Sequence, residues 1–317
     1  MRLTIALGFL LARLAAPAAV HYINARATNE NRFTIEVTTT TSPQDFILRI
    51  GDPSSFNVAW GDGTTNTYTY SSYATQTHSY AAAGVHTIRM WGHAHWIDFF
   101  VWPDPGSGTP ELITKVVTPI WGIDGLVDCT EMWKHCHSLT YFPTNLYDYV
   151  TNVTTFYDLM IECNNVTNLP PGFFRHQTNV TSMYAVCDQM EKLLAVDENL
   201  FDSATNNLNL GWAFAKCYDL KSIPANLYRT QTKVTTSDYI HYRNYDLTNL
   251  PPLLFNTCTS IATLANGFYQ CTNLLGHTPT NSAGQKLWEI TPAITGTACF
   301  YQCTNLSDYA SIPAGWK

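Results

Sequence analysis

The chain has 317 residues, a net charge of −7, 13% charged residues and 45% hydrophobic ones. That length allows roughly two domains, and the mild acidity leaves no basic footprint, so no nucleic-acid partner is expected. No run of eighteen or more apolar residues marks a membrane span.

Residues 1–27 open with MRLTIALGFLLARLAAPAAVHY. Arg2, the apolar stretch 3–12 and Ala16-Pro17-Ala18 fit a signal peptide, although Arg13 cuts the apolar region short. Two readings stay open: a cleaved secretory leader, or a retained peptide that docks the protein onto other proteins of a larger assembly.

Residues 28–100 alternate apolar and polar positions between turn signals, as in RFTIEVTTT, DFILRI, FNVAWGDGTTNTYTY and VHTIRMWGHA. This is the pattern of half-buried antiparallel strands. Asp62-Gly63 lies between two such runs and predicts a hairpin. Its Asp62 is expected to cap the turn rather than hold calcium. Residues 101–118, rich in proline and glycine, read as a linker and the entry into the C-terminal segment.

From 119 to 317 the chain repeats itself. FYQCTNL occurs at 268–274 and again at 300–306. An apolar or aromatic residue stands three before a cysteine and an apolar residue three after it: Trp133/Cys136/Leu139, Met160/Cys163/Val166, Tyr184/Cys187/Met190, Phe214/Cys217/Leu220, Phe268/Cys271/Leu274 and Phe300/Cys303/Leu306. Another copy carries Asn244 in the cysteine position. The successive spacings are 27, 24, 30, 27, 27 and 32. Such periodicity marks an array of stacked units, none able to bury its apolar face alone. Within each unit, the spacing before the cysteine predicts a short helix, and the Φ-x-x-Φ stretch after it predicts a short strand ended by proline. The third and sixth copies carry extra residues at 194–199 and 275–286, as loop insertions on one face of the stack.

The repeat segments TNVTSMYAVCDQM and TSIATLANGFYQCTNL resemble the BspA-like leucine-rich repeat, and the pairing of WGDG (60–63) with HSYAAAGVHTI (78–88) resembles the PKD-like β-sandwich. These resemblances imply an α+β chain: an N-terminal antiparallel β-sandwich of PKD or Ig type at 28–100, then a leucine-rich-repeat solenoid of about seven units of ~27 residues at 119–317. They also imply a surface-exposed, non-enzymatic binding or adhesion protein. The layout of apolar peptide, sandwich and array resembles a phage tail or head fibre, attached to the virion through residues 1–27 and recognising a host-cell receptor or glycan. The alternatives are a secreted bacterial surface adhesin and a purely structural decoration subunit. A larger assembly or homo-oligomer is expected in each case.

No nucleophile elbow, phosphate loop or dinucleotide fingerprint occurs, so no enzyme and no cofactor are expected. The nine cysteines, an odd number, argue against a full disulfide framework. Cys136, Cys163, Cys187, Cys217, Cys271 and Cys303 are expected to stack as one buried column of reduced thiols, each behaving as a small hydrophobe. Two H-x-H pairs, His93/His95 and His135/His137, have the spacing that puts two imidazoles on one face of a strand. Because Cys136 belongs to the repeat column, its neighbours are expected to point elsewhere, and no metal ligand is assigned. The Asn-x-Thr/Ser sites at Asn152, Asn165, Asn179 and Asn305 follow the repeat consensus. The candidate binding residues are variable positions of the predicted strands, Tyr141, Asn168, Lys192, Lys221 and Asn249, with His277 and Gln285 from the second insertion.

Overall fold

The computed structural model describes residues 31–100 and 108–317. The expected anchor at 1–27 and the linker residues 101–107 lie outside the described residues. The described residues form nine strands: β1 (Phe33–Thr39), β2 (Gln44–Gly51), β3 (Ser54–Ala59), β4 (Thr65–Thr69), β5 (Tyr73–Tyr80), β6 (Gly84–His93), β7 (Trp96–Asp98), β8 (Ile113–Val116) and β9 (Ile123–Asp124). One sheet runs β4-β3-β6-β1-β8, with the short β9 added parallel to β6, and the other runs β5-β2-β7. All other pairings are antiparallel.

The sequence pattern accounts for these sheets. In β1, Phe33, Ile35 and Val37 are fully buried, and β2 buries Phe46, Leu48 and Ile50, the period of a strand with one face on a core. The β3–β4 hairpin turns through Asp62-Gly63. There Asp62 Oδ1 accepts from the Thr64 amide at 2.9 Å and its hydroxyl at 2.6 Å, and Oδ2 lies 2.7 Å from His78 Nε2. Burial works to raise the Asp62 carboxyl, but the Thr64 and His78 contacts outweigh it and hold it at about 2. His78 stacks on Trp60 at 4.6 Å, and the buried Tyr80 hydroxyl donates to the Trp60 carbonyl at 2.7 Å. Gly61 has φ +90°, and a Cβ there would sit 2.7 Å from the Thr87 amide nitrogen, so the turn closes against β6 only with glycine.

The rest of the chain differs from the α+β expectation. The described residues contain no α-helix, only 3-10 turns at Pro110–Leu112, Leu287–Glu289, Tyr309–Ser311 and Ala314–Trp316. The described residues are mostly β with two small sheets, and among them the helix-and-strand units of a leucine-rich-repeat solenoid are not found. Residues 126–317 are instead a succession of turns. The expected strands shrink to the single-residue parallel bridges Asn168↔Ala195 and Ser222↔Asn249, while a longer run of such bridges, Trp96↔Asp128↔Thr155↔Ser182↔Asn209↔Thr236↔Thr263↔Thr295, passes through the segments before the cysteines, where helices were expected.

The expected helices fail because of where their amides donate. In the first six copies every second N–H crosses to the next copy: Trp212, Phe214 and Lys216 donate to the carbonyls of Asp238, Ile240 and Tyr242 at 2.7–2.9 Å. The amides between them, Ala213 and Ala215, close three-residue turns onto Leu210 and Trp212. A run of such turns buries residues three and four apart, just as a helix does, so apolar spacing does not distinguish them. The backbone alternation needs two left-handed residues per copy. They are Glu131/His135, Asp158/Glu162, Ala185/Gln189, Trp212/Lys216, Tyr239/Arg243, Asn266/Gln270 and Ala298/Gln302, with φ between 50° and 61°. Left-handed backbone costs an L-residue roughly 1–2 kcal/mol, which the cross-copy hydrogen bonds, about 1 kcal/mol each, help to offset.

These left-handed pairs fix the true register. They lie five and one residues before Cys136, Cys163, Met190, Cys217, Asn244, Cys271 and Cys303. Met190, not Cys187, therefore occupies the cysteine slot of the third copy, and the slot spacing becomes 27 five times and then 32. Cys187 moves into the position of Trp133, Met160 and Phe214, and the apparent insertion at 194–199 disappears. The thiol in the slot has a job: Sγ of Cys163, Cys217, Cys271 and Cys303 donates to a carbonyl of the preceding copy at 3.0–3.2 Å. Asparagines Asn165, Asn179 and Asn305 likewise donate to carbonyls one copy back, which accounts for the asparagine at three of the four Asn-x-Thr/Ser sites.

The sheets and the turns share one apolar core. Trp133 meets Phe33 at 6.0 Å and Phe99 at 5.2 Å, and Trp96 Nε1 donates to the Thr130 carbonyl at 3.1 Å. Residues 113–116, within the stretch 101–118 read as linker and entry, form β8 beside β1.

Candidate functional site

Equivalent side chains of successive copies lie one above another, so like residues form rows. The spacing between hydrogen-bonded backbones, about 4.8 Å, is also a ring-stacking distance. One row, five residues before the slot, stacks Trp212 on Tyr239 at 4.2 Å. The row two before the slot stacks Tyr242 on Tyr269 at 5.1 Å and Tyr269 on Tyr301 at 4.6 Å. Tyr242 also packs against Trp212 at 5.6 Å and Tyr239 at 5.4 Å, which joins the two rows into one stripe. Beyond the slot, Tyr218 stacks on Tyr245 at 5.2 Å.

Between these aromatic rows runs a polar one. Lys216 Nζ lies 5.7 Å from the Trp212 ring and the Arg243 guanidinium 5.0 Å from Tyr242. Arg243 Nε donates to Gln270 Oε1 at 2.8 Å, and Gln270 passes a hydrogen bond to Gln302 at 2.7 Å. The stacked faces cover one another, so the stripe shows solvent its ring edges and phenol hydroxyls. Trp212, Tyr239, Tyr242 and Tyr269 are half-buried; Tyr245 and Tyr301 are exposed.

Toward the N-terminal copies the same side becomes charged. Lys134 Nζ bridges Glu131 at 2.6 Å and Asp158 at 3.4 Å. Burial raises the Asp158 carboxyl to about 6, with Lys134 pulling the other way, and raises Asp188 to about 7 against the attraction of Lys216. Asp98, fully buried beside Arg49 at 3.5 Å, is pushed well above the carboxylate range by burial.

The candidates from sequence fall elsewhere. Tyr141, Asn168 and Asn249 are exposed and share a row five residues after the slot, where Asn168 bridges to Ala195 and Asn249 to Ser222. Lys221 is exposed one position earlier. Lys192 leaves this surface, because the corrected register puts Leu194 and Ala195 there, and its Nζ donates to Asn165 Oδ1 at 2.7 Å. His277 and Gln285 are exposed on the insertion, which Lys286 pins by reaching Asp308 at 2.5 Å. No stacking or polar network joins these residues into one site. All nine cysteines are free and buried, and Cys187 stands outside the slot.

Sequence reasoning missed the aromatic stripe. Its signal was the spacing: Trp212 to Tyr239 and Tyr242 to Tyr269 are 27 apart, and Tyr269 to Tyr301 is 32, matching the slot spacings. No family model matches the chain. No curated protein matches it. With no family match and no helix-and-strand unit, the BspA-like leucine-rich-repeat and PKD-like assignments fall, and the virion and tail-fibre reading built on them falls with them. No helix of the described residues is long and apolar enough to cross a membrane.

Proposed function

We propose that this is a non-enzymatic binding protein whose stacked turns hold the stripe from Trp212 to Tyr301 against a partner protein. The observation that carries the reading is a set of aromatic rings spanning four successive copies, held rigid by stacking and edged by Lys216, Arg243 and two glutamines. Tyr, Trp and Arg are the residues enriched in interfaces and in their energetic centres. Rings already locked by their neighbours lose little side-chain entropy on binding. The copies are joined by backbone hydrogen bonds, so the stripe is a fixed scaffold feature and not a mobile loop.

A photo-crosslinking amino acid placed at Tyr301 tests this, with the same group at Tyr141, on the row five residues after the slot, as the control. The reading predicts a discrete adduct from the Tyr301 position that disappears when Trp212→Ala and Tyr269→Ala are combined. Equal adducts from both positions, or an adduct indifferent to the two substitutions, would refute it.

A further inference from the structure

The first repeat copy and its neighbour bring together three side chains with no part in the stripe. His135 and His137 flank the buried Cys136, and Glu162 arrives between them from the next copy. His135 Nε2 lies 3.8 Å from Glu162 Oε1, and His137 Nε2 lies 3.8 Å from Glu162 Oε2. Ligand atoms of all three lie within 4.8 Å of one another. About a third of each side chain is exposed, at 33%, 41% and 32%, so the group opens to solvent on one side.

The backbone sets this convergence. His135 and Glu162 occupy the same left-handed position of successive copies, each with φ 60°. The His135 amide donates to the Ile161 carbonyl at 2.8 Å and the Glu162 amide to the Asp188 carbonyl at 3.1 Å, which fixes both copies in register. Left-handed backbone aims these two side chains alike, and the one-residue slot of Cys136 returns His137 to the same side. The other H-x-H pair has its rings 5.0 Å apart but shares no carboxylate: His93 faces Asp124 at 3.7 Å while His95 faces Asp52 at 3.6 Å.

We infer that His135, His137 and Glu162 form a binding site for a divalent transition-metal ion, with Zn2+ the best fit. Two imidazole nitrogens and a carboxylate oxygen are a borderline donor set that suits zinc, and three protein ligands leave one position for water. Zinc bonds of about 2.0–2.2 Å in tetrahedral geometry put ligand atoms about 3.4 Å apart. The two His–Glu distances of 3.8 Å, one to each carboxylate oxygen, exceed this by a few tenths of an ångström, and the three ligand atoms lie within 4.8 Å of one another, a gap that rotations of these partly exposed side chains would close. The site would clip the first two copies together next to the sheets.

The test is calorimetric titration of the tag-free full chain with Zn2+, with Co2+ absorption as a spectroscopic probe. The expected result is one Zn2+ per chain and visible Co2+ bands of low coordination number. His137→Ala and Glu162→Gln should each weaken Zn2+ at least about tenfold, since losing even a residue that only orients a ligand costs 10–100-fold. His95→Ala should leave affinity unchanged. Near-UV circular dichroism confirms that each variant is folded, and His137→Asn stands in if His137→Ala is not. No Zn2+ binding by the wild-type chain, or affinity unaltered by both the His137 and Glu162 variants, would overturn the site.

Discussion

Asn244 interrupts the cysteine slot, and the reason is a buried polar chain that runs through it. Asn244 Oδ1 accepts from the Cys217 amide at 3.1 Å, and Nδ2 lies 3.2 Å from His241 Nδ1. His241 Nε2 in turn lies 2.8 Å from the Tyr228 hydroxyl. His241 and Asn244 are fully buried, and His241 stacks between Phe214 and Phe268 at 5.5 Å on each side. Asn244→Cys restores the repeat consensus but strands the Cys217 amide and the His241 ring nitrogen. An orphaned buried polar group costs about 1–3 kcal/mol, so the single change should destabilise by about 2–3 kcal/mol despite its return to consensus. His241→Phe alone should cost a similar amount, because it strands Asn244 and Tyr228. The triple change His241→Phe, Asn244→Cys, Tyr228→Phe removes every partner together and completes the ring row, so it should return to within about 1 kcal/mol of wild type. Urea denaturation of the four proteins measures this. An Asn244→Cys protein as stable as wild type, or a triple variant that shows only the sum of the single losses, would refute the reasoning.

Burial also holds His241 neutral, with its folded pKa pushed down to about 3. Its contribution to stability is therefore complete above the unfolded value near 6.5 and is lost as pH falls from there toward 3, at about 1.4 kcal/mol per pH unit; Asp158 and Asp188, raised to about 6 and 7, act in the opposite sense. Subtracting the triple variant's pH–stability curve from that of wild type should isolate this acid loss, and a flat difference between pH 6.5 and 4 would contradict it. The thiols are all buried with pKa values pushed up by that burial, so a thiol-exchange reagent should titrate none of the nine in the native protein and all nine in denaturant; a fast native thiol would contradict the packing. Ala298 has φ 50°, so Ala298→Gly should leave stability unchanged or raise it by up to about 1 kcal/mol in thermal denaturation, whereas glycine within a helix costs about 1 kcal/mol.

The sheets were legible in the sequence because alternation over six to eight residues has a single physical reading, and Asp62-Gly63 marks its turn. The repeat length was legible too, from Phe268/Cys271 and Phe300/Cys303. What each unit is made of was not. Apolar residues three and four apart serve a helix and a chain of turns equally, and what separates them is whether alternate amides find partners one copy away. Nothing within a single unit reports that. The third copy misled for a second reason: Cys187 and Met190 are both small enough or pliable enough to exchange slots, so cysteine alone was a poor ruler. The aromatic stripe stayed hidden because its rows appear only once the spacing is laid on the corrected register. The His135, His137 and Glu162 cluster needed the left-handed backbone, which no residue type there announces.

The central claim is that each copy is a run of turns hydrogen-bonded to the next, with the third copy registered on Met190. The Trp212–Tyr301 stripe depends on that architecture. Scalar coupling across hydrogen bonds in the NMR spectrum reads it directly. The account predicts coupling between the Cys187 amide nitrogen and the Ala213 carbonyl carbon, a contact of 2.9 Å between copies. Coupling from Cys187 to the Tyr184 carbonyl, the turn that a cysteine in the slot would close, would contradict it.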